Sequence, residues 1–198
     1  TYISYAIAIG KDLKKIKFFF IDSMYNDNTE EIINDFQDAK FIYLMRDPRE
    51  TFLSQSHYFF NKMHSMTSIR NKPKNLYFQI LKKNLSTSYN MLKKLKSNRS
   101  IDLKVVKFED IHLNKEKIMR EISNKYNFEF NKILLETTIF GNKAISVSSF
   151  STKLISGVSE NRLMRYKKKL SFLNLVLIER IFFNTIKNNN YDISYKQS

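Results

Sequence analysis

Arg46 stands eight residues before Ser54 in the stretch KFIYLMRDPRETFLSQSHYFF, residues 40–60. These two residue types can grip an anion. A guanidinium can give a phosphate two parallel hydrogen bonds, which lysine cannot, and a hydroxyl adds a neutral donor. The residues around them would have to bring them together. The apolar run Phe41-Ile42-Tyr43-Leu44-Met45 reads as a buried strand that stops at Arg46-Asp47-Pro48-Arg49, and Pro48 suits the first turn of a helix from Arg49 to about Lys62. Arg46 is then the first residue past the carboxyl end of a strand, and Ser54 lies about two turns into the next helix. That helix would aim its amino terminus, with free N–H groups and a positive dipole end, at the same crevice. In a parallel α/β sheet, ligands bind beyond the carboxyl ends of the strands. The arrangement suits a phosphate monoester. It equally suits an Arg–Asp pair that finishes a strand, with a serine on the surface of a helix.

Other polar clusters are less pointed. His57 and His64 lie seven apart, on one helix face, but no His-Glu-x-x-His pattern and no cysteine accompany them or His112. Packing or surface roles are expected for all three, and no metal. The oxygen-rich stretch DSMYNDNTEE, residues 22–31, lacks the glycine and alternate acidic spacing of a calcium loop. Lys167-Lys168-Lys169 reads as a solvated helix face, with guidance of an acidic acceptor as its other use.

The elements that would carry these residues alternate. Lys17 to Ile21 reads as a buried strand, followed by the polar turn Asn26-Asp27-Asn28. Asn28 with Glu31 resembles a capping box that opens a helix from Thr29 to Phe36. After the strand Lys40–Met45 and its helix, apolar residues from Asn75 to Leu95 follow a helical period. Leu103 to Phe108 is a third strand, ending at Glu109-Asp110. Helices are expected over 113–126 and from Ile133 to Thr138. A long functional loop is expected over 141–158, which holds two of the three glycines. Two helices close the chain, Glu160 to Lys169 and Ser171 to Lys187, with Ser171 as the second N-cap. Strands alternating with helices imply an α/β fold with a parallel sheet and right-handed crossovers. No internal repeat and no second domain are visible, so residues 1–198 read as one domain.

Composition sets the bounds. With 198 residues, 42% hydrophobic, the chain can bury one sizeable core, and 17 Phe and 11 Tyr exclude a disordered tail. The lack of cysteine excludes disulfides and thiolate metal sites, and fits a reducing compartment. No run approaches the roughly 18 apolar residues that span a bilayer. Thr1-Tyr2-Ile3-Ser4-Tyr5 has neither an initiator Met nor a charged n-region, so the expectation is a chain that begins inside a longer one. The net charge of +15 draws anions such as phosphates, nucleic acid, acidic glycans or a membrane surface. Codon bias accounts for it as well, since Lys, Asn, Ile, Phe and Tyr are all over-used and the lysines are spread along the chain.

The stretch FQDAKFIYLMRDPRETFLSQSHYF, residues 36–59, resembles the 3′-phosphate-binding segment of the sulfotransferases that use 3′-phosphoadenosine 5′-phosphosulfate. That family has a strand ending in Arg, then Asp/Asn-Pro, then Ser eight residues after the Arg. VVKFEDI, from Val105 to Ile111, is similar to the family's later strand ending in Tyr/Phe-Glu-Asp, whose aromatic residue lies against the adenine. SVSSFS, from Ser146, and NRLMRYKKKLS, from Asn161, are similar to its cofactor-covering loop and to the Arg-Trp…Leu-Ser helix of bacterial members, with Tyr166 where Trp is usual. The resemblance spans about residues 18 to 185 and implies a P-loop-NTPase-like sulfotransferase fold. It implies 3′-phosphoadenosine 5′-phosphosulfate as the sulfuryl donor, with Arg46 and Ser54 on its 3′-phosphate and Phe108 against its adenine.

The chain departs from the family at its start. The Gly-rich, Ser/Thr-bearing loop that cradles the 5′-phosphosulfate has no counterpart, for Gly10 sits in AIAIGKDLKK without the hydroxyl pair. The implied domain therefore lacks its N-terminal strand–loop–helix. Where members carry Lys-Thr-His or Lys-Ser/Thr-Pro, this chain reads Asp22-Ser23-Met24. Met24 cannot act as a general base and Asp22 is equally suited to a solvated turn, so the catalytic residues stay unassigned. The implied partners are an anionic nucleotide donor and a hydroxyl or amine acceptor on a carbohydrate, lipid, small molecule or protein tyrosine. Neither acceptor nor oligomeric state can be read. The implied setting is cytoplasmic, or a Golgi-type lumen for a eukaryotic parent. Two alternatives stand beside this reading. One is a P-loop kinase-like transferase, which needs a Gly-x-x-x-x-Gly-Lys-Ser/Thr loop upstream. The other is a basic nucleic-acid-binding module that stacks bases on Phe and Tyr, although those aromatics fall in apolar segments that core burial explains.

Overall fold

The computed structural model describes residues 31, 33–34, 40–63, 74–136, 138–139, 142–143, 146–148, 151–155 and 163–194. Strand β1 (Lys40–Met45) alternates as its sequence asks: Ile42 and Leu44 face outward while Phe41, Tyr43 and Met45 turn inward. It pairs in parallel with β2 (Asp102–Lys107), in a register running from Lys40 opposite Asp102 to Met45 opposite Lys107. Parallel strands need a long crossover. Helices α1 (Pro48–Met63) and α2 (Lys74–Ser97) supply it. After β2 come α3 (Phe108–Leu113), α4 (Lys115–Lys125) and a 3₁₀ turn, Lys132–Leu135. Short strands β3 (Thr138–Ile139) and β4 (Asn142–Lys143) pair antiparallel, as do β5 (Ser146–Ser148) and β6 (Ser151–Ile155). Helices α5 (Tyr166–Lys169), α6 (Phe172–Ile181) and α7 (Phe183–Asn188) close the chain. The described architecture is α/β, rich in helix around a small parallel sheet.

Two apolar clusters hold these elements together. Phe52 of α1, Leu81 and Leu85 of α2, and Ile178, Phe182 and Ile186 of the closing helices form one. The last three recur every four residues, so one apolar stripe runs on through the break at Phe182. Val106 of β2 packs with Ile122 and Tyr126 in the other cluster. The Tyr126 hydroxyl donates to Phe41 O at 2.7 Å, and burial pushes that phenol up to about 12.

Asparagine ends two helices where glycine is usual. Asn127 (φ 53) and Asn190 (φ 54) take left-handed backbone, the conformation asparagine tolerates best after glycine. Each turns the next residue back onto the helix: Phe128 N donates to Ser123 O at 3.0 Å, and Tyr191 N to Ile186 O at 3.0 Å. The second turn aims Tyr191 at the carboxyl end of β1.

Several expected boundaries move. β2 stops at Lys107, and Phe108, Glu109 and Asp110 open α3 instead of ending a strand. The helix expected over 113–126 is α4, Lys115–Lys125, and Leu113 belongs to α3, from which Asn114 (φ −137, ψ 44) separates it. The helix expected from Ile133 is one 3₁₀ turn, capped by the Asn131 side chain, which accepts from Ile133 N, and Thr138 belongs to β3. The loop expected over 141–158 contains β4, β5 and β6, and Val147 and Leu154 pair across a hairpin. Ser171 does cap α6, accepting from Asn174 N at 3.4 Å, but the helix before it is a single turn and the one after it breaks at Phe182. Glu31, Ile33 and Asn34 are helical, as the capping box implied. The expected strand from Lys17, with Gly10, Asp22, Met24 and His64, lies outside the described residues. Among the described residues no helix is long and apolar enough to cross a membrane.

Candidate functional site

At the end of β1 the backbone is clamped from three directions. Tyr89 of α2 donates its hydroxyl to Arg46 O at 2.6 Å, and burial holds that phenol well above its ordinary pKa, so it stays a donor. Asp47 N donates to Glu109 Oε1 at 3.1 Å, and Tyr191 OH donates to Glu109 Oε2 at 2.9 Å. The point where Arg46 leaves the sheet is therefore fixed by α2, by α3 and by the segment after α7.

The Arg46 side chain lies against the Phe108 ring, with Cζ 4.4 Å from its centroid. Its Nη2 donates to Glu50 Oε2 at 3.2 Å. Its Nε is buried with no hydrogen-bond partner among the described residues. Burial lowers the Arg46 pKa, and Glu50 opposes the shift. Ser54 is partly buried, one turn beyond Glu50. Glu50 and Ser54 lie four apart on α1, and Arg46 precedes the helix. The structure brings Arg46 and Phe108 into direct contact, and Ser54 lies on α1 one turn past Glu50. Phe108 faces the guanidinium on one side, and the His112 ring lies 4.1 Å from its centroid.

The amino end of α1 is closed, contrary to the free N–H groups expected there. Asp47 Oδ1 accepts from Arg49 N at 2.9 Å, as an N-cap carboxylate does, and Pro48, Arg49 and Glu50 are all buried.

Arg49, 1% exposed, belongs to the scaffold instead. It donates from Nε to Asp47 Oδ1 at 2.9 Å and from Nη2 to Asp47 Oδ2 at 2.6 Å. Its Nη1 reaches Glu179 Oε1 of α6 at 2.5 Å and Asp192 O at 2.7 Å. Its Cζ sits 4.3 Å over the Tyr166 ring, the position where the family's Trp is usual. Burial works against this charge, but Asp47 and Glu179 outweigh it and raise the Arg49 pKa.

Glu50 and Arg165 are the site residues that spacing did not single out. Glu50 is 2% exposed. Its Oε1 accepts from Tyr166 N at 2.7 Å, and its Oε2 lies 3.6 Å from Arg165 Nη2. A signal for the first existed, since Glu50 is four residues past Arg46. Arg165 stands in the NRLMRYKKKLS segment, but nothing local in it points to α1. Among the described residues no group of three His, Asp or Glu is placed to hold a metal.

A short parallel sheet wrapped by helices, with an arginine at the carboxyl end of a strand, defines an α/β protein. The model of the sulfotransferase family matches residues 14–132, more than half of the chain, and the chain belongs to that family. A solved sulfotransferase domain from the curacin biosynthetic pathway has a similar structure, with a TM-score of 0.53 and 16% identity over 78% of this chain and 54% of that one. The chain thus spans about half the length of that domain, and the likeness is one of fold. No curated protein gives a significant match.

Proposed function

We propose that the chain is the nucleotide-gripping part of a P-loop-NTPase-like sulfotransferase domain. Its reaction would move a sulfuryl group from 3′-phosphoadenosine 5′-phosphosulfate to a hydroxyl or amine acceptor. The observation that carries this reading is the Arg46 guanidinium, stacked on Phe108 with a buried Nε that no described group satisfies. An unmet buried donor costs about 1–3 kcal/mol, and a phosphate oxygen would meet it. Membership of the sulfotransferase family supports the choice of donor.

In this reading Arg46 binds the 3′-phosphate through charge-assisted hydrogen bonds, and Ser54 adds a neutral donor from the flank. Phe108 keeps the guanidinium plane in place and borders the adenine. The donor supplies a sulfuryl group already linked to a phosphate leaving group, so the protein's share is to bind, orient and stabilise charge.

Calorimetry with two nucleotides tests the reading. Adenosine 3′,5′-bisphosphate should bind roughly tenfold or more tightly than adenosine 5′-phosphate, because a charge-assisted contact contributes about 1.5–3 kcal/mol. Equal affinities would remove the basis for the assignment.

A further inference from the structure

Glu50 is an unusual acid. A glutamate in the first turn of a helix favours the dipole, and an exposed one would serve that purpose. Glu50 is instead 2% exposed and bonded through both oxygens. Oε1 takes the Tyr166 amide at 2.7 Å, which fixes the plane of the carboxylate. Oε2 is left to two guanidiniums, Arg46 at 3.2 Å and Arg165 at 3.6 Å. Like charges so close repel each other, and Arg165 is among the causes that pull the Arg46 pKa down. One carboxylate cannot cancel both. Glu109 also acts on Arg46, but its oxygens are bonded to Asp47 N and Tyr191 OH.

We propose that Glu50 is the positioning residue of the anion site, holding Arg165 beside Arg46 so that both guanidiniums serve one phosphate dianion. The inference rests on the function proposed above. It adds a second cation and the group that sets the spacing of the pair. A guanidinium carries five N–H donors, more than one carboxylate can take. A preformed pair of guanidiniums suits a dianion and avoids ordering two long side chains when the ligand arrives. The Glu50 carboxylate does not touch the ligand. It acts through the arginines.

The readout is the ratio of affinities for adenosine 3′,5′-bisphosphate and adenosine 5′-phosphate, measured by calorimetry on the chain and its variants. Glu50→Gln keeps the shape and removes the charge, and should cut the ratio roughly tenfold, one charge-assisted contact's worth. Arg165→Gln should cut it similarly. The double variant should fall little further, because the two act as one unit. Glu50→Asp keeps the charge on a shorter stem and should restore part of the preference. A parent chain with no preference overturns the proposed function itself. A parent that shows the preference while both single variants keep it overturns this inference alone, whatever their melting temperatures. A ratio that rises in Glu50→Gln overturns it too, since Glu50 would then be a competitor of the phosphate. Should Glu50→Gln not fold, the partly exposed Arg165 decides through its own variant.

Discussion

Burial makes Arg46 a stronger anchor than a surface arginine, because a charge-assisted hydrogen bond gains strength where water cannot screen it. Arg46→Ala should weaken adenosine 3′,5′-bisphosphate binding by about tenfold to a hundredfold. Ser54→Ala should cost only about twofold to tenfold, because a neutral hydroxyl contributes roughly 0.5–1.5 kcal/mol. Titration calorimetry checks the order, and a larger loss at Ser54 would reverse the roles given to the two. Arg46 was legible as the first residue past an apolar run, whereas Phe108 was named only through the family resemblance. Their contact was not legible, since nothing in a sequence states that two strand ends adjoin. The same gap hid Arg165, which meets Glu50 only after the chain has returned from β6. Asp47 was half legible: Asp-Pro marked a helix start, and the closed amino end followed from the very residue that marked it.

Elements are tied to one another at this end of the sheet by ionised groups as well as by the apolar clusters. Arg49 of α1 joins Asp47, Glu179 of α6 and the segment after α7, and none of the three charged residues is more than 5% exposed. Removing one partner strands the others, and an uncompensated buried charge costs about 3–5 kcal/mol. Arg49→Met should therefore lower the stability of the chain by that amount in urea denaturation. Arg120→Ala serves as the contrast, since its pair with Glu116 lies on the surface and such pairs contribute about 0–1 kcal/mol. A similar, small effect of both would show that the Arg49 network carries no stability. The sequence foresaw β1, α1 and α2 because Pro48 and a sustained helical period mark them. It misjudged the end of β2, because a strand running straight into a helix leaves no glycine or proline to mark the change. The closing helices were merged for a related reason: the apolar stripe of Ile178, Phe182 and Ile186 continues across their break, so periodicity alone cannot see it.

At the scale of the whole molecule the +15 charge admits a rival use, a groove that tracks the backbone of single-stranded nucleic acid. Such a groove needs aromatic rings that are open to stack bases. The rings at the strand end are already engaged: Phe108 lies on Arg46, Tyr166 on Arg49, and Tyr191 on Lys107, whose Nζ is 4.6 Å from the ring centroid. Phe52 and Phe182 are buried in the core, and burial keeps the Tyr89 hydroxyl on Arg46 O. At the described strand end, cations and aromatics are thus paired with one another, while Phe172 stands exposed away from it. Charge without stacking still binds DNA loosely at low salt, so the informative condition is near-physiological salt, where counterion release has weakened purely electrostatic binding by orders of magnitude. We expect no sub-micromolar binding of a single-stranded oligonucleotide there, and displacement by adenosine 3′,5′-bisphosphate of whatever binds at lower salt, because both would draw on the charge at Arg46. Fluorescence anisotropy with a labelled oligonucleotide measures both. Tight binding at near-physiological salt that the nucleotide does not displace would make nucleic acid, not the sulfuryl donor, the better account of the charge.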